Sequence, residues 1–120
     1  MAKRYPFSNY SDEAMDAYNA DSRQIDQNGV TSGRVKWLRG IMITENGGVA
    51  GTLQLYDYNT EGASPTATLQ RAAVYVGANS TAVIDFPAPG LKFVTGILGG
   101  LLAAGATVPA YGIAVWGYEE

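Results

Sequence analysis

Arg34-Val35-Lys36-Trp37-Leu38-Arg39-Gly40-Ile41-Met42-Ile43-Thr44-Glu45-Asn46-Gly47-Gly48-Val49-Ala50-Gly51-Thr52-Leu53-Gln54-Leu55-Tyr56-Asp57 is the stretch on which the fold turns. Apolar residues fall on odd positions at Val35, Trp37, Ile41 and Ile43, while Lys36 and Thr44 place polar groups on even ones. A period of two is the mark of a half-buried strand. Asn46-Gly47-Gly48 supplies residues that tolerate positive φ, and Thr52 to Tyr56 resumes the alternation. The stretch therefore predicts a β-hairpin with arms over residues 34–45 and 49–57.

The same reading extends toward the C-terminus. Asp57 to Pro65 is rich in Asn, Gly, Ser and Pro and reads as a loop. Arg71 to Val76 is a third strand, with Gly77-Ala78-Asn79-Ser80 as its turn, and Thr81 to Phe86 a fourth. Pro87-Ala88-Pro89-Gly90 interrupts the chain before a fifth strand, Leu91 to Leu98, and a sixth, Tyr111 to Tyr118. Six short strands without alternating helices predict an all-β chain: an antiparallel β-sandwich or a small jelly-roll-like barrel. The β-sandwich domain is expected to occupy residues 31–120.

Residues 1–30 differ. Asp12, Glu13, Asp16, Asp21 and Asp26 are set among Tyr5, Phe7, Tyr10 and Tyr18 with a thin apolar pattern, and Ser11 is placed to cap a short helix. The segment reads as an extended N-terminal arm, either laid across a neighbouring subunit or packed locally as a terminus.

Composition narrows the functions. Of 120 residues, 47% are hydrophobic and 16% charged, against a usual charged share of about 25%. So little charge points to apolar surface covered by a partner. There is no Cys and no His, which removes thiol chemistry, imidazole ligands and the His-based triads from this chain. A net charge of −3 argues against nucleic acid as a partner. No secretory signal peptide is expected, because Lys3 and Arg4 lead into polar residues. Residues 93–116 carry no charge, but Gly96, Gly99, Gly100, Gly105, Gly112 and Pro109 favour two buried strands joined by a Gly/Ala loop over a membrane span.

Carboxylates are the main acid/base groups left. Glu45 and Asp57 border turns and read as water-facing. Asp85, between Ile84 and Phe86, reads as the solvent face of a strand. Catalysis is not expected from them. Asp12, Glu13, Asp16 and Asp21 lack the spacing of a calcium loop. Gly96 to Gly100 lacks the Lys and Ser/Thr of a phosphate loop. No metal or cofactor is implied. Arg34, Lys36 and Arg39 around Trp37 read as a solvated strand face or a protein contact. Trp37 and Trp116 read as core or interface anchors.

Val35-Lys36-Trp37-Leu38-Arg39-Gly40-Ile41, then Gly51-Thr52-Leu53-Gln54-Leu55-Tyr56-Asp57, Ile84-Asp85-Phe86-Pro87, Gly90-Leu91-Lys92-Phe93-Val94-Thr95-Gly96-Ile97 and the closing Ala114-Val115-Trp116-Gly117-Tyr118-Glu119 follow a familiar order. Over residues 34–119 the chain resembles small virion structural proteins of tailed bacteriophages, of the β-sandwich head-decoration (cement) or tail-associated kind. The resemblance carries no catalytic motif. It implies a virion protein made in the host cytoplasm, contacting the major capsid protein or other virion proteins, with a homotrimer favoured. The chain departs from the pattern in a longer Gly/Ala-rich segment at Gly99 to Pro109. Partner-contact candidates are Tyr5, Phe7, Tyr10 and Tyr18 on the arm, Trp37 and Arg39 on the first strand, and Leu101 and Leu102 in that segment. The rival readings are a tail, neck or fibre component and a non-catalytic carbohydrate-binding module using exposed Tyr and Trp.

Overall fold

The computed structural model describes residues 3–11, 23–26, 29–60, 66–103 and 111–120. Nine strands are present among them: β1 (Tyr5–Ser11), β2 (Arg23–Gln24), β3 (Lys36–Glu45), β4 (Gly51–Asp57), β5 (Gln70–Val76), β6 (Thr81–Asp85), β7 (Leu91–Phe93), β8 (Ile97–Ala103) and β9 (Tyr111–Glu119). A single 3₁₀ turn, Ala67–Leu69, precedes β5. The strands form two sheets. The first has the order β1-β9-β3-β6, with β7 also on β3; the second has the order β2-β8-β4-β5. Every pairing is antiparallel.

The pairing is nested. β1 meets β9, β2 meets β8, β3 meets both β6 and β7, and β4 meets β5, as though one long ribbon were doubled back and rolled up. Two four-strand faces made this way are a jelly roll, one of the two all-β architectures expected. β6 and β7 act as one interrupted edge strand, covering Thr44 to Gly40 and then Leu38 to Lys36 of β3. Phe86 to Gly90 loops out between them. The Phe86 amide donates to the Arg39 carbonyl, and the Gly90 amide to the Pro87 carbonyl.

The predicted hairpin is corrected. β3 and β4 exist close to their expected bounds, but they lie in different sheets. Residues 46–50 carry the chain across the sandwich instead of reversing it within one sheet. The turn at 77–80 likewise links β5 in the second sheet to β6 in the first. The expected fifth strand divides at Val94 to Gly96, where the chain passes from β7 to β8. Asn-Gly-Gly tells the chain to turn; which strand it then joins is decided by the apolar faces that must meet.

Both sheets pack through Leu38, Ile41, Ile43, Ile113 and Val115 on one side and Leu53, Leu55, Val74, Val76 and Ile97 on the other, with Ile25 and Phe93 at the ends. Each such side chain contributes about 1.5–3 kcal/mol when fully buried. In β3 the inward residues change parity. A register shift between Leu38 and Gly40 leaves Arg39 as an extra residue, so Lys36 and Leu38 face inward before it and Ile41 and Ile43 after it. The simple odd/even reading missed this bulge and therefore put Lys36 on the wrong face. Gly40 faces the Trp116 ring so closely that a Cβ would sit 2.2 Å from it; only glycine lets the indole lie flat on β3.

The described parts of residues 1–30 are built into the sandwich, which corrects the separate arm. β1 pairs with β9 along its whole length from Tyr5↔Glu119 to Ser11↔Ile113. Asn9 donates to the Ile25 carbonyl at 2.8 Å, and Ile25 is 1% exposed. The helix expected after Ser11 and the acidic run Asp12 to Asp21 lie outside the described residues.

Where the chain changes sheets, carboxylates hold it. Glu45 accepts the amides of Gly47 (2.7 Å), Val49 (2.9 Å) and Asn79 (3.1 Å), tying two crossovers together. Asp57 accepts those of Val94 (3.1 Å), Thr95 (2.8 Å) and Gly96 (3.4 Å) at the β7–β8 corner. Both residues were expected to face water; they are 1% and 4% exposed. A buried amide without an acceptor is costly. Asp57→Ala is therefore expected to destabilise the protein by roughly 3 kcal/mol in urea unfolding, and Asp57→Asn, which keeps one acceptor oxygen, by less.

Candidate functional site

Two features stand out from the sandwich: the outer face of the first sheet, and a cleft at the end where β1, β3 and β9 meet.

The outer face is read row by row across the strands. Tyr10 of β1 is opposite Ala114 of β9, Ala114 opposite Met42 of β3, and Met42 opposite Val83 of β6. These four make an apolar band across the full width of the sheet. Tyr10 is 64%, Met42 38% and Val83 57% exposed. The next row, Ser8, Trp116, Gly40 and Asp85, adds the half-buried indole and ends in a charge. Beyond it come Pro6, Tyr118, Trp37 and Lys92. Thr44 and Thr81, joined at 3.1 Å through their hydroxyls, bound the band on its other side. An apolar strip rimmed by polar groups is the usual shape of a protein-contact surface.

The cleft has a volume of about 490 Å³ and is lined by Tyr5 to Asn9, Asp26, Gly29, Thr31, Lys36 and Glu119. Lys36 and Asp26 form a buried ion pair with Nζ 3.0 Å from Oδ2, and Lys36 Nζ lies 4.9 Å from the centre of the Phe7 ring. Glu119 accepts from the Thr31 amide at 3.1 Å and hydroxyl at 3.2 Å, and pairs with Arg34 at 3.5 Å. Arg34 in turn covers the Tyr5 ring at 4.3 Å. Burial, the largest single influence, pushes the Glu119 carboxyl up. The Thr31 amide and hydroxyl, the Lys36 charge and Arg34 together outweigh it and hold the group below the ordinary glutamate value of 4.5.

The candidates named from sequence are distributed unevenly. Tyr5 and Phe7 meet at the cleft, while Tyr10 lies on the apolar band. Trp37 is half-buried, its Nε1 donating to Glu120 at 3.0 Å. Arg39 is turned to a local task, donating from Nε to the Phe86 carbonyl at 3.3 Å. Leu101 and Leu102 belong to β8 and not to a loop, opposite Leu53 and Thr52; their side chains, and the whole of Tyr18, lie outside the described residues. Met42, Val83 and Ala114 were missed, although Ile41-Met42-Ile43 and Ala82-Val83-Ile84 are apolar on both faces and so signal an apolar exterior. Asp26, Lys36 and Glu119 were missed because their meeting depends on the bulge at Arg39. Among the described residues no group of three or more acidic, His or Cys side chains is arranged to hold a metal, and no helix is long and apolar enough to cross a membrane.

No family model matches the chain, and no curated protein matches it. Among solved structures, one similar chain is from the cyanophage Pam1 capsid asymmetric unit. It is 16% identical, with a TM-score of 0.46, and the match covers 98% of this chain and 84% of that one. At this identity and TM-score no role is transferred from it.

The lowered carboxyl of Glu119 has a pH consequence. A group whose native pKa is depressed stabilises the fold above its unfolded value and loses that contribution as pH falls through the native one. The melting temperature of the wild type is expected to exceed that of Glu119→Gln at neutral pH, and the gap to close as pH drops below 4.5.

Proposed function

We propose that the chain is a structural protein of a phage particle, and within that class a head-decoration protein that adds contact area between capsid subunits. The apolar band Tyr10–Ala114–Met42–Val83 carries this reading. It crosses the full width of one outer face of a sandwich whose core is already closed from within, so its apolar groups serve no purpose in holding the two sheets together. The low charge of the chain and the resemblance of residues 34–119 to virion proteins support the same reading. The jelly roll is compatible with it but not selective, since capsid, lectin and cupin domains share that architecture.

The proposed role is binding and not catalysis. Glu45 and Asp57, two of the carboxylates that acid/base chemistry would call on, accept backbone amides. Assembly on a capsid lattice places many copies at equivalent positions, so a modest contact area per copy suffices when neighbours share the load. A trimer, with the band against the capsid or a neighbouring copy, fits this proposal.

Co-sedimentation of the purified chain with expanded capsids tests it. Saturable binding at a fixed number of copies per particle is expected, and absence from the capsid pellet would overturn the decoration role. Copy number restricted to a single vertex would instead favour a tail or neck component. Replacing Met42 and Val83 at the centre of the band by Lys and Asp is expected to weaken that binding about tenfold or more while leaving the melting temperature nearly unchanged.

A further inference from the structure

The Lys36–Asp26 pair has no part in the contact surface. The Lys36 side chain is 7% and that of Asp26 0% exposed, with Nζ 3.0 Å from Oδ2. Nζ also donates to the Asp26 carbonyl oxygen at 3.3 Å. Gln24 donates from Nε2 to the other carboxylate oxygen, Oδ1. Glu119 is directly opposite Lys36 across β3 and β9, lines the same cleft, and is held as a carboxylate by Thr31 and Arg34. Leu38 and Phe93 show that this end of the sandwich can be packed with apolar residues. A buried ion pair is seldom more stabilising than such packing, so its presence asks for another reason.

We propose that Lys36 and Asp26 condense to an intramolecular amide, an isopeptide bond that fastens the segment after β2 to β3. The bond forms between Lys36 Nζ and Asp26 Cγ. One ammonium proton passes from Lys36 to Oδ2 across their 3.0 Å contact, and the free amine attacks Cγ. Oδ1, steadied by Gln24, remains as the amide oxygen. Oδ2 leaves as water, carrying that proton and a second one from nitrogen. One ammonium and one carboxylate become one neutral amide and one water, and no oxidant, cofactor or activated donor is needed. The reaction is driven by removal of two buried charges, which a desolvated site penalises, and by the preset contact between the reacting groups. The cleft gives the water its exit.

Intact mass of the purified, denatured wild-type protein is the first test, after incubation at neutral pH. The expected mass is one water below that of the sequence. Asp26→Asn would expel ammonia instead and is expected to finish at the same mass as the condensed wild type. Lys36→Arg is expected to keep its full mass. In the chymotryptic fragment of residues 19–37, the water loss is expected with sequence ions missing between residues 26 and 36, the mark of a closed loop. A folded wild type that stays at full mass overturns the proposal. So does a water loss with an unbroken ion series through that loop, which marks a succinimide.

Discussion

Backbone amides at the described sheet crossovers, several of them accepted by buried carboxylates, are the constraint on which the rest of this sandwich depends. A rolled ribbon must leave one sheet and enter the other several times, and at each passage the chain gives up its ladder partners inside the protein. Glu45 answers for two passages at once, and Asp57 for the corner between β7 and β8. Glu119 performs a similar service for Thr31 on the way from β2 into β3. An ionised carboxylate is a stronger acceptor than a neutral group and can take several amides at once. This explains how a chain with little charge still places acidic side chains at its corners.

That arrangement also explains what the sequence could and could not reveal. Strand positions were legible because alternation and turn chemistry act within a few residues: β3, β4, β5, β6 and β9 stand close to where they were read. Pairing was not, because Asn46-Gly47-Gly48 suits a hairpin and a crossover equally well. The acidic residues beside turns look water-facing until the amides they serve are known, and those of Asp57 come from 37 to 39 residues away. A single extra residue at Arg39 reverses the faces of β3, moving Lys36 from the expected surface into the interior. The polar character of residues 1–30 suggested an arm, yet β1 is an edge strand, where one side of the backbone and alternate side chains face water and polar residues are at home.

The proposed contact face was half legible. Short runs such as Ile41-Met42-Ile43 break strict alternation, and that break is the signal of apolar groups on both sides of a sheet. Reading it requires knowing that among the described residues no second layer covers the outer side, which only the fold supplies. Tyr10 was singled out as a contact residue and lies on the band, although it was assigned to a free arm. The cleft was illegible for a different reason. Asp26 and Lys36 lie 10 residues apart on either side of the entry into β3, Glu119 comes from the last strand, and each one alone is an ordinary surface type.

Native-state hydrogen exchange tests the role of the corner carboxylates most directly. The amides of Gly47, Val49, Asn79, Val94, Thr95 and Gly96 lie in turns and corners, where exchange is ordinarily fast. The account predicts protection approaching that of the β3 and β9 ladder amides at neutral pH. Exchange of these six at the rate of open loops, with β3 and β9 still protected, would contradict it.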